Sequence, residues 1–174
     1  MLSLGMSVAP TYEGWQRTQA SLIHRVPKLG PRELGLRASP DGWPIWAIVS
    51  HIAGARVYWL CGVFKERGAE TTPFRDPLGE GWEDRLDVPR GSSDLVFAVE
   101  SSWQIVESCL TRWTPDMLGE TFTRKRAGEV QRHTRHSVLT RLVMHDAFHC
   151  GEVSSLLGAN GLASMDPWDP PVNR

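Results

Sequence analysis

HSVLTRLVMHDAFHCGEVSSLLGANG, residues 136–161, keeps a helical period along most of its length. Val138, Leu142, His145, His149, Glu152 and Leu156 form one stripe; Leu139, Val143, Cys150, Val153 and Leu157 form its neighbour. Residues four apart share a helix face, so His145 and His149 point the same way, within or beside the apolar side. Imidazoles aimed into a helical core are costly unless something satisfies them, and a divalent metal does so well. Gly158-Ala159-Asn160-Gly161 then closes the stretch as a glycine C-cap would.

Working outward, three more helices are expected. Thr11–Val26 carries Tyr12, Trp15, Leu22, Ile23 and Val26 at helical spacing, and Pro27 with Gly30-Pro31 ends it. His24, alone in that helix, reads as solvent-facing or locally bonded. A second helix starts at Trp43-Pro44, proline being well placed in a first turn, and runs to about Lys65. Ile45, Ile48, Val49, Ile52, Ala55, Trp59 and Leu60 give it a wide apolar face, with His51 at its flank. Ser92-Ser93-Asp94 supplies the N-cap of a third, whose stripe is Val96, Val99, Trp103, Val106, Leu110 and Trp113. Residues 66–91, rich in Gly, Pro and charge, read as a long crossover loop, and loops of that length in compact domains are functional or mobile. Residues 120–135 alternate weakly around Ala127-Gly128 and admit a small β-hairpin before the last helix. The pattern is an all-α four-helix bundle, with one domain over residues 1–163 and an irregular, proline-rich tail over 164–174.

A net charge of −1 gives no global attraction to nucleic acid or anionic lipid, so neither is an expected partner. No window approaches the roughly 20 apolar residues of a membrane span, and the N-terminus lacks the features of a signal peptide, so a cytoplasmic location is expected. Cys61, Cys109 and Cys150 are scattered and odd in number, which indicates reduced core thiols rather than a disulfide framework.

Bundles build metal sites in the core from facing helices, which is where His51 and the His145/His149 pair meet. Three imidazoles bind one face of a zinc or nickel ion and leave positions open for water or substrate. The literal string His145-Asp146-Ala147-Phe148-His149 invites comparison with zinc proteases, but Asp146 is one methylene shorter than the expected base. Glu152 lies on the ligand stripe as an acceptor for an imidazole N–H, a base, or an exposed helix carboxylate. Tyr58, two turns after His51, either packs in the core or reaches the open coordination positions. Arg124, Lys125, Arg126, Arg132 and Arg135 read as a solvated hairpin; alternatively Arg132 and Arg135, at the N-terminus of the last helix, dock a carboxylate or phosphate of a substrate or cosubstrate.

Trp43 to Ala53 and Val138 to Leu162 together resemble the DinB-like proteins, relatives of bacterial thiol-dependent transferases and mycothiol-dependent maleylpyruvate isomerases. His145 to Glu152 matches that family's H-x-x-x-H-x-G-(Q/E) helix, with Cys150 where a basic residue is common and Asp146 where Glu is common. The resemblance implies a four-helix bundle, often a homodimer, with a divalent metal on His51, His145 and His149. It also implies transfer of a low-molecular-weight thiol, since an open metal site presents a thiol as its thiolate. Metal-dependent hydrolysis on the same ligands, and a non-enzymatic metal-binding or stress-related bundle, are the alternatives.

Overall fold

The computed structural model describes residues 6–168. A 3-10 turn (Ala9–Tyr12) leads into α1 (Glu13–Arg25), and a single turn, α2 (Pro31–Leu34), precedes α3 (Ile45–Val57). Then come α4 (Ser92–Arg112), a hairpin of β1 (Thr121–Arg126) and β2 (Glu129–Thr134), and α5 (Arg135–Ala159). Both α1 and α3 pack against α4 and α5, which makes the bundle.

Extended backbone at Pro44 launches α3, whose first five residues, Ile45 to Val49, are all buried. Apolar residues on every side of this helix mean that it is surrounded rather than laid on a surface. Its continuation, Tyr58–Val63, is a π-helix, with the Phe64 N–H reaching back five residues to the Trp59 carbonyl at 3.1 Å. Such bulges often sit at functional sites. Here the first two residues of the π-helix, Tyr58 and Trp59, both line one cleft.

In α4 the expected stripe is buried at Val99, Val106 and Leu110, continuing to Trp113 just beyond the helix, while Val96 and Trp103 are half-buried. Leu95, Ala98, Ile105 and Cys109 widen the packed face. The N-cap is Gly91 in extended conformation, and Ser92 is already the first helical residue; no side chain caps this end. The last helix is capped as a reciprocal box: the Ser137 N–H donates to Thr134 Oγ1 at 3.1 Å, and the Thr134 N–H donates to Ser137 Oγ at 3.0 Å. At its other end Gly161, at φ +70, lets the Leu162 N–H reach the Leu157 carbonyl and the Gly161 N–H that of Gly158.

The expected hairpin is present, antiparallel from Thr121↔Thr134 to Arg126↔Glu129. Its two-residue turn puts Ala127 at φ +50 and Gly128 at φ +82, as tight hairpins require.

The 66–91 loop folds back over α3. A Cβ at Gly54 would meet the Phe74 ring at 3.3 Å, and one at Gly62 would meet Leu78 at 2.9 Å, so small residues on α3 admit the loop. The loop's second 3-10 turn, Trp82–Asp84, packs on α3. Residues 164–168 form neither helix nor strand, yet Met165 is buried and its N–H donates to Ser154 Oγ at 3.0 Å. The remainder of the expected tail, 169–174, and the first five residues, where the leader argument begins, lie outside the described residues. Among the described residues no helix is long and apolar enough to cross a membrane.

Candidate metal centre

His51 on α3 and His145 and His149 on α5 converge: one ring nitrogen from each lies within 4.8 Å of the others. His145 Nε2 and His51 Nε2 are 2.9 Å apart. The side chains are 28%, 22% and 13% exposed in the order His51, His145, His149, so solvent reaches the cluster. Trp43 stands edge-on to His51, with ring centroids 5.0 Å apart.

The far side of each ring faces a carboxylate. His51 Nδ1 lies 2.7 Å from Glu83 Oε1, and His149 Nδ1 lies 2.9 Å from Glu152 Oε2. His145 Nδ1 lies 3.5 Å from Asp146 Oδ1. Asp146 is fully buried, and among the described residues its other oxygen, Oδ2, takes the hydrogen bonds that reach it, from Trp15 Nε1 at 2.6 Å and Arg56 Nε at 2.8 Å, with Arg56 Nη2 at ion-pair distance, 2.8 Å. Arg56, also fully buried, donates to Gln19 Oε1 at 2.8 Å. Asp146 is therefore half of a buried ion pair and not the exposed base that the protease comparison needs.

Tautomers decide whether a cation fits. A carboxylate on Nδ1 fixes the proton there and leaves Nε2 as a lone pair, which is the arrangement a metal-binding imidazole adopts. His51 and His149 are set this way. The Nε2 atoms of His51 and His145 face each other at 2.9 Å, while His145 Nδ1 and Asp146 Oδ1, 3.5 Å apart, both lack a hydrogen-bond partner among the described residues. A cation among the three rings fits both observations, with the His145 proton then on Nδ1, facing Asp146. The donor set and its orphaned atoms fit a divalent ion. Burial lowers the His149 pKa, and the neighbouring His145 and His51 act in the same direction against Glu152, which favours the neutral ring a metal needs.

A cleft of about 530 Å³ opens beside the rings, with His51, His145, Tyr58 and Trp59 in its wall. Glu152 sits on His149, as the ligand-stripe reading has it. Tyr58 faces the cleft and its hydroxyl accepts from Arg124 Nη1 at 2.7 Å. The two arginines expected to dock an anion are elsewhere. Arg135 is buried, ion-paired with Glu120 and Glu66 and stacked over Trp113 and Phe122. Arg132 is exposed and pairs across the hairpin with Thr123, on the face opposite Arg124 and Arg126. The arginines lining the cleft are Arg124, Arg126 and Arg141. Glu83 also escaped the sequence reading, because it comes from a loop without period and meets His51 across 32 residues. Arg141 had a usable signal, standing four residues before His145 in the same helical row.

A helical bundle with a three-imidazole cluster between facing helices, and a small hairpin beside it, defines the class. The chain belongs to the DinB superfamily, whose sequence profile matches residues 15–153. A crystal structure of a DinB-like protein from Bacillus cereus ATCC 10987 shares the fold, with a TM-score of 0.66 over 94% of this chain and 99% of that one, at 16% sequence identity. No curated protein matches the chain.

Proposed function

We propose that this chain is a metal-dependent enzyme that transfers a low-molecular-weight thiol to an electrophilic small molecule. The observation that carries the reading is the convergence of three imidazoles, each backed by a carboxylate, on a point open to a cleft. His51, His145 and His149 would hold a zinc or nickel ion, with Glu83, Asp146 and Glu152 fixing their tautomers. A divalent ion there supplies a Lewis-acidic position at which a thiol ionises near neutral pH. Tyr58 Oη already accepts from Arg124, so its own proton remains free to donate into the cleft.

In this reading none of the chain's own thiols is the nucleophile. Burial pushes the Cys61 thiol up to about 11 and the Cys109 and Cys150 thiols up to about 12, where none ionises at neutral pH. The test loads the protein with zinc or nickel and supplies glutathione or another cellular thiol with a chloronitrobenzene or epoxide acceptor. Conjugation that requires both metal and thiol, and is lost in His149→Ala, supports the reading. Acceptor turnover independent of thiol moves the assignment to hydrolysis. A fully loaded protein that turns over nothing with any of several bacterial thiols returns it to a binding role.

A further inference from the structure

Arg124, Arg126 and Arg141 line the same cleft as His51 and His145, and among the described residues none has a carboxylate partner. Arg124 is held in place: its Nε donates to Gln131 Oε1 at 2.8 Å, its Nη1 to Tyr58 Oη at 2.7 Å, and its guanidinium lies 4.3 Å over the Trp59 ring. The Arg141 guanidinium lies 5.0 Å over the same ring. One nearly buried indole thus gathers two cations whose mutual repulsion is not neutralised by the protein. The field is felt nearby, since burial and then Arg124 and Arg141 lower the His133 pKa.

The cleft also has an acidic side, but among the described residues none of its carboxylates pairs with the three arginines. Asp76 accepts from the Leu78 N–H, Asp84 accepts from the Gly81 N–H, and Glu83 holds His51. Glu80, also in the lining, forms no ion pair with the three arginines. Guanidinium groups fixed on an aromatic face with unused N–H donors are suited to an oxyanion of planar, bidentate shape.

We infer that Arg124 and Arg141 form a carboxylate subsite, so that the ligand of the cleft is a carboxylate-bearing molecule. Arg126, at the rim, adds attraction without fixing geometry. This inference rests on the thiol-transfer reading for the identity of the reacting atom, and on the arginines alone for the acid group.

Calorimetric titration of the zinc-loaded protein with 3-mercaptopropionate and with 2-mercaptoethanol separates the two. The carboxylate thiol should bind at least tenfold tighter. Arg141→Gln, an exposed helix position that leaves the fold intact, should remove most of that preference, and Arg124→Gln should do likewise. Arg132→Gln should change nothing, and metal content should be the same in all three variants. Equal binding of the two thiols by the native protein, or an unchanged preference in Arg141→Gln, overturns the subsite. Propionate binding as tightly as 3-mercaptopropionate, with the arginine dependence intact, leaves the subsite standing and removes the thiol from the metal.

Discussion

Asp146 Oδ1 lies 3.5 Å from His145 Nδ1, and among the described residues neither of these buried atoms has a hydrogen-bond partner. All the donors that reach Asp146, from Trp15 and Arg56, go to Oδ2, so Oδ1 is held toward the ring and left vacant. A buried unpaired acceptor costs about 1–3 kcal/mol, and a proton on His145 Nδ1 lessens that cost. The ion pair beneath the site therefore favours the His145 tautomer protonated on Nδ1.

Two consequences of that arrangement can be separated. Asp146→Ala strands the Arg56 charge and should lower stability by about 3–5 kcal/mol in urea melts. Replacing both partners, Arg56→Met with Asp146→Leu, should recover most of that stability. Zinc affinity should stay about 10–100-fold below native in the double variant, because the His145 proton is no longer placed. Recovery of both properties together would show that the pair is only structural.

Glu83→Gln and Glu152→Gln test the other two carboxylates. Each should weaken zinc by about 10–100-fold in competition with a chromophoric chelator, while the thermal midpoint of the metal-free protein shifts little. Glu83 is the more informative of the pair, because it comes from a loop whose Phe74 and Leu78 pack against Gly54 and Gly62.

The thiols predict a pH dependence. In Cys61 and Cys109 the folded-state pKa is raised from 9.0 to about 11 and about 12, so below pH 9 both folded and unfolded chains carry neutral thiols. As pH rises from 9 the unfolded chain ionises first, and stability falls progressively toward pH 11–12. Native protein at pH 8 should also react slowly with a disulfide reagent and release its thiols only on unfolding.

Ala127 holds φ +50 in the hairpin turn, a conformation that costs a side-chain-bearing residue about 1 kcal/mol or more. Ala127→Gly should therefore raise Tm by a few degrees, offset in part by the greater freedom of glycine in the unfolded chain. A fall in Tm would show that the positive φ at Ala127 carries no strain for glycine to relieve.

The bundle was legible because helical period and end signals are local: Pro44 opens α3 and Gly161 closes α5. The convergence of His51 with the α5 pair was legible for the same reason, since each sits on the packed flank of a strongly periodic helix. Strand parity was legible but unused: Arg132 and Arg124 differ by an even number of residues, yet a two-residue turn at Ala127-Gly128 sets a register that puts them on opposite faces. The role of Asp146 was not legible, because its partner, Arg56, is 90 residues away on another helix. The π-turn at Tyr58 has no marker in a run of apolar residues that suits an α-helix equally well.

The central claim is that His51, His145 and His149 share one divalent ion. Zinc titration of purified protein that has been stripped of metal, run beside His51→Ala, tests it most directly. One ion per chain in the native protein, with affinity lost by orders of magnitude in the variant, is the predicted result; undiminished binding in His51→Ala, or no binding by the native protein, contradicts it.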